Sequence, residues 1–210
     1  IKPFDHQDPA VGDLVAEWAK TPGAVGARIM LWGQVVPPAD DPGINAILKA
    51  AATQALPVNV LCWGKLALMS ELAARHPQTQ LVVDHLGLAQ PFAPPAPDLP
   101  FADLDDVLKL AAHDNVAIKI SGAGTLSHEP YPYPDLWPHL SRIFETFGLE
   151  RCLWGSDWTR AVALLNYQQA VDAFRLASQL SEAERGLLMG GSLQSIYGWA
   201  PEVTPATTAP

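Results

Sequence analysis

The sequence predicts an α/β fold: a parallel sheet covered by helices and closed in the manner of a (β/α)8 barrel. Three observations carry that prediction. Short apolar runs recur along the chain, each too uniformly apolar to have a wet face, as strands buried on both sides require. Between them lie stretches with apolar residues at three- and four-residue spacing, so strand and helix alternate. No glycine-rich phosphate fingerprint follows any strand: Gly122-Ala123-Gly124 lacks the third glycine and precedes a loop, which favours barrel closure over a doubly wound sheet.

In chain order, six strands begin at Ile1, Val25, Val58, Leu81, Val116 and Cys152, whereas a complete barrel of this kind has eight. Residues 9–20 carry Val11, Leu14, Val15 and Trp18 at helical spacing, with Asp8 placed as cap and Thr21-Pro22-Gly23 as stop. The strand over 25–31 is interrupted by one charge, Arg28. After a loop with Pro37, Pro38, Pro42 and Gly43, the alanine-rich segment 44–56 is a helix that Pro57 ends. A strand over 58–62 runs into Trp63, and a helix over 66–76 is closed by Pro77. The strand 81–83 ends in Asp84-His85, and a proline-rich excursion over 90–100 reads as a lid or active-site loop. A helix over 101–113, a strand over 116–121, a second long loop over 122–133 and a helix over 134–147 follow. The strand at Cys152 comes next, and segments 160–180, 181–188 and 192–199 read as closing helices.

The 210 residues, 49% hydrophobic and 17% charged, make one domain over 1–200 with a frayed tail over 201–210. A net charge of −9 argues against a nucleic-acid or anionic-membrane partner. No apolar segment has membrane length, and a cytoplasmic location is the default. Cys62 and Cys152 lie in apolar runs and read as buried thiols. The opening Ile1-Lys2-Pro3-Phe4-Asp5, without methionine and already strand-like, reads as a fragment or as a chain whose beginning is missing.

Barrel chemistry sits where strands end, so the polar residues there matter most. Asp157 follows the strand Cys152-Leu153-Trp154-Gly155 and lies beside Trp154 and Trp158, where a carboxylate needs a cation, a proton or donors. It reads either as a working acid or as the cap of the next helix. His85 is either a site imidazole or a satisfied core histidine. Arg28 either binds substrate or pairs with a buried acid such as Asp84. Lys119, between Ile118 and Ile120, is expected to point outward between sheet and helices. His6, His76, His113, His128 and His139 lack ligand spacing and read as solvated, with His128 in a mouth-side loop. Trp63, Trp154 and Trp158 cluster at strand ends as pocket wall.

Leu81-Val82-Val83-Asp84-His85-Leu86-Gly87, Val116-Ala117-Ile118-Lys119-Ile120-Ser121-Gly122, Leu153-Trp154-Gly155-Ser156-Asp157-Trp158 and Ile196-Tyr197-Gly198 occur in order. Together with Gly23-Ala24-Val25-Gly26-Ala27-Arg28-Ile29, this set resembles the amidohydrolase superfamily. The resemblance is to the TIM-barrel metal-dependent hydrolase branch that holds 2-pyrone-4,6-dicarboxylate lactonase and the sugar-acid lactonases. It implies that Asp157 is the general base and a metal ligand where metal is present, that His85 contacts the metal or the substrate carbonyl, and that Arg28 binds a substrate carboxylate or hydroxyl. Counted this way, the six strands are the third to the eighth of the barrel. The family's His-x-His pair has no match in this chain, and Ser192 stands where the final motif usually has Asn.

The expected function is opening of a small, carboxylated or polyhydroxylated lactone by water, with Asp157 and His85 catalytic and Arg28, Trp63 and Trp158 binding substrate. One divalent ion, zinc or similar, would sit on His85 and Asp157 if a metal is used, and none if the branch member is metal-free. The alternatives are a metal-dependent decarboxylase of an aromatic acid, or an inactive fragment awaiting two strands. An open barrel edge would pair with another chain, in a homo-oligomer or otherwise.

Overall fold

In the computed structural model, which describes residues 1–33 and 35–201, six parallel strands form one sheet in the order β1-β2-β3-β4-β5-β6. The strands are β1 (Lys2–Pro3), β2 (Ala27–Met30), β3 (Val58–Leu61), β4 (Leu81–Val83), β5 (Val116–Ser121) and β6 (Cys152–Gly155). Each pairs with its sequence neighbour, leaving β1 and β6 as the two edges of an open, barrel-type sheet. The tail expected over 201–210 lies outside the described residues from 202 onward.

The crossover helices are α1 (Val11–Ala19), α2 (Pro42–Thr53), α3 (Leu66–Arg75), α4 (Leu104–Lys109) and α5 (Trp137–Phe147). Their boundaries follow local chemistry. Asp41 accepts a hydrogen bond from the Ile44 amide at 2.9 Å and Pro42 opens the first turn of α2, where its missing N–H costs nothing. The single helix expected over 160–180 is instead two, α6 (Trp158–Ala161) and α7 (Tyr167–Arg175). Asn166 sets the restart, its side chain accepting from the Gln169 amide at 3.1 Å. Ser181 and Glu184 close a capping box at α8 (Glu182–Gly186), a π-helical turn covers Leu187–Gly191, and α9 (Ser192–Tyr197) follows.

Side chains alternate between the two faces of the sheet. Val58, Val60, Leu81, Val83, Val116, Ile118, Ile120 and Cys152 belong to the large core beneath the helices. Burial pushes both the Cys62 and the Cys152 thiols up to about 12, and both are free. The register aligns Arg28, Asn59, Val82 and Ala117 on the concave face, and Lys119 stands opposite Leu153. There Val82, Ala117 and Leu153 form a smaller core closed by Leu193, Ile196 and Tyr197 of α9, which floors the concavity. Lys119 therefore corrects the outward orientation expected of it. Its Nζ donates to Asp84 Oδ1 at 2.9 Å on the concave side, while Ile118 and Ile120 take the helix-facing side.

The histidines outside the strand ends are also more engaged than expected. His76 is buried, with Nε2 2.7 Å from Asn45 Oδ1, and His139 stacks on Phe101 with ring centres 4.0 Å apart. No helix among the described residues is long and apolar enough to cross a membrane.

Candidate active site at the carboxyl ends of the strands

Two polar layers occupy the concave face. The deeper one centres on Asp84, at the end of β4 and only 2% exposed. Its Oδ1 accepts from Lys119, and its Oδ2 lies 2.8 Å from Arg28 Nε. That second contact is off the N–H axis, so it is an ion pair that leaves Nε–H and Oδ2 without a hydrogen bond. Below it, Tyr197 Oη donates to Asn59 Oδ1 at 2.5 Å, and burial drives the Tyr197 hydroxyl pKa upward. Arg28 thus pairs with the buried acid, one of the two arrangements its position allows.

The outer layer brings His85 and Asp157 together. His85 follows β4 and Asp157 follows β6, and His85 Nδ1 lies 3.5 Å from Asp157 Oδ2 and 2.9 Å from Ser121 Oγ. Both residues have left-handed backbones, with φ of 52° and 49°, a conformation that costs a non-glycine residue about 1–3 kcal/mol and concentrates at functional sites. Asp157 occupies the N-cap position of α6, yet its side chain makes no capping hydrogen bond. Its Oδ2 instead accepts from Arg160 Nε at 2.5 Å. Burial lowers the His85 pKa, aided by Arg28 and Lys119 and opposed by Asp157 and Asp84, so the imidazole is neutral at pH 7.

Trp63 follows β3 and meets the His85 ring at 61°, with centres 6.0 Å apart and with its buried Nε1 unpartnered. Trp158 packs edge-on against Tyr167, with ring centres 5.1 Å apart. His128 spans the two long loops, its Nε2 3.0 Å from the Pro97 carbonyl.

Arg160 and Gln90 are the site residues that the strand-end search passes over. Gln90 is 5% exposed; its Nε2 donates to the carbonyls of His85 at 3.2 Å and Ser121 at 3.0 Å, and its Oε1 accepts from Arg160. The available signal for Arg160 is spacing, since three residues after Asp157 on a helical turn lies on the same face.

The donor set can be tested against a metal ion. His85 and Asp157 supply two ligands, against the three protein ligands of a catalytic zinc. Among the described residues, no group of three or more His, Cys, Asp or Glu side chains is placed to hold a metal. Asp157 Oδ2 also carries a guanidinium. The pair alone falls short of a metal centre.

Residues 5–192 match the family model described as amidohydrolase. Among curated proteins, the chain is 34% identical over 123 residues to L-fucono-1,5-lactonase of Burkholderia ambifaria, a stretch covering 57% of this chain and 40% of that protein. It is 40% identical over 81 residues to 4-sulfomuconolactone hydrolase of Rhizobium radiobacter, covering 39% of this chain and 25% of that one. The chain thus matches less than half the length of either curated relative. A crystal structure of an amidohydrolase from Burkholderia multivorans with bound zinc superposes with a TM-score of 0.73 at 24% identity, covering 93% of this chain and 72% of that one. That likeness establishes a shared fold.

Proposed function

The chain belongs to the amidohydrolase family, and on that premise we propose that it serves hydrolysis of a small lactone bearing an anionic group. The observation that carries the reading is the convergence of His85 and Asp157, 3.5 Å apart at the ends of two strands in a site walled by Trp63. Curated relatives named for the hydrolysis of a sugar lactone and of a sulfonated lactone support the reaction class.

In this reading Asp157 takes a proton from water as the water oxygen bonds to the lactone carbonyl carbon. With His85 as the Nε2–H tautomer, the Ser121 hydroxyl donates to Nδ1 and the Nε2 proton is directed to the carbonyl oxygen as charge develops there. Collapse of the tetrahedral adduct breaks the ring C–O bond, and the leaving alkoxide recovers the proton from Asp157. The product is an open hydroxy acid. Arg28, Lys119 and Arg160 face the carboxylates of Asp84 and Asp157, and with His85 neutral the cluster carries one surplus positive charge. Within a protein of net charge −9, that surplus favours an anionic ligand over a neutral one. Arg28, 30% exposed, is the side chain to receive its acidic group, and Trp63 and Trp158 contribute apolar wall.

The test is turnover by the purified protein of L-fucono-1,5-lactone and of 4-sulfomuconolactone, followed as acid release. The sulfonated lactone is expected to lead by about tenfold in kcat/KM, and Asp157→Asn to lose about 100- to 10,000-fold. Opening of neither lactone sinks the hydrolytic reading. Equal turnover of both removes the anionic preference, and an Asp157→Asn variant with most of its turnover excludes Asp157 as the base.

A further inference from the structure

Arg160 is more deeply engaged than the proposed reaction requires. Among the described residues, the other ion pairs at three-residue spacing, Lys20 with Glu17, Lys109 with Asp106 and Arg175 with Asp172, all have their basic partner on the surface. The Arg160 side chain is only 7% exposed. Its fork reaches three separate segments. Nε donates to Asp157 Oδ2 at 2.5 Å and Nη1 to the Pro91 carbonyl at 2.5 Å. Nη2 donates to Gln90 Oε1 and to Thr125 Oγ1, the latter at 3.2 Å. Gln90 and Pro91 begin the proline-rich excursion, and Thr125 belongs to the turn Ala123–Leu126 that leaves β5. The surroundings are shaped to admit the fork: Gly122 has φ +68°, and a Cβ there would collide with Arg160 Nη2 and Gln90 Oε1.

A buried guanidinium is tolerable only when its donors are met. Here four of its five N–H donors are met by protein groups, on both mouth loops and on the Asp157 carboxylate, which leaves no pair of donors free to grip a substrate anion bidentately. We propose that Arg160 is a positioning residue, a clasp that fixes the Asp157 carboxylate in its working orientation only while residues 90–91 and 123–126 are docked against it. The catalytic consequence rests on Asp157 acting as the base; the clasp itself does not. A rigid planar fork is needed for this, and a lysine ammonium at the same place supplies charge without the span.

Hydrogen exchange and kinetics on the whole protein separate the two parts. In Arg160→Met, amide exchange should rise at least about tenfold in residues 86–100 and in residues 122–130 together, because the Arg160 fork reaches both while His128 joins them only farther out, at Pro97. Wild-type exchange in either loop overturns the clasp. If Arg160→Met does not fold, Gln90→Leu serves: it removes one arm, and exchange should rise at 122–126 as well as at 86–100, an unchanged 122–126 being the contrary result. On whichever of the two lactones the wild type opens, Arg160→Met should lower kcat about 10- to 100-fold with KM changed less than about threefold. Arg160→Lys should stay near the Met variant, and added methylguanidinium should restore part of the Met variant's kcat. A raised KM at unchanged kcat would make Arg160 a substrate ligand, and full activity in the Lys variant would reduce its role to charge; both overturn the proposal. Should the wild type open neither lactone, the hydrolytic reading fails while the exchange experiment still decides the clasp.

Discussion

Asp84 and Asp157 sit one layer apart on the same concave face, and each faces two nitrogen-bearing partners, yet their surroundings set them to different work. Asp84 is sealed at 2% exposure between Lys119 and Arg28, with α9 as floor beneath. Asp157 is held by Arg160 and faces a neutral His85, on a strained backbone at the mouth. A carboxylate between two full cations is a structural charge. One that faces a single cation and a neutral imidazole is the proposed proton carrier. The partners each carboxylate meets set the difference.

That contrast breaks or sharpens under substitution. The largest stability effect is expected at the deep layer. Asp84→Ala strands Arg28 and Lys119 and should cost about 3–5 kcal/mol in denaturant unfolding. Asp157→Asn should cost less, about 1–3 kcal/mol in the same measurement, because Asn accepts a left-handed backbone and its amide oxygen can still accept from Arg160, which loses only its counter-charge. Equal losses at the two positions would erase the distinction between the layers.

Leu153→Ala, which hollows the small core over α9, should cost about 2–5 kcal/mol, and wild-type stability there would mean that α9 does not floor the concavity. Tyr197→Phe removes the hydrogen bond to Asn59 and should cost about 1–3 kcal/mol while leaving turnover nearly unchanged. The smallest effect concerns pH. Burial lowers the pKa values of His85, His76 and His139, so as pH falls below about 6.5 the unfolded chain takes up protons that the folded chain does not. Their contribution to stability is complete above that pH and is lost as pH falls through the folded values. The denaturant midpoint should therefore drop between pH 7.5 and pH 5. His76→Gln, which keeps a donor for Asn45, should flatten part of that slope.

Much of the scaffold was legible along the chain because its signals are local. The strand expected over 116–121 is β5, Val116–Ser121, and the run 81–83 is β4, Leu81–Val83, since a continuous apolar run flanked by polar residues has few other uses. The break between α6 and α7 was missed because the apolar spacing continues through it, and only the Asn166 cap marks the restart. Lys119 was misplaced because alternation states that two faces differ without stating which face is the concave one.

The sequence by itself determined the alternation of buried strand and helix, and with it a parallel sheet whose strand ends carry His85 and Asp157, since periodicity and burial are properties of neighbours along the chain. Only the tertiary structure decided that Lys119 and Arg28 share Asp84, that Asp157 meets one guanidinium and an imidazole, and that Arg160 reaches two loops as well as Asp157. Those outcomes depend on the register of strands 23 or more residues apart and on how far each side chain lies below the mouth, distances that no local pattern encodes.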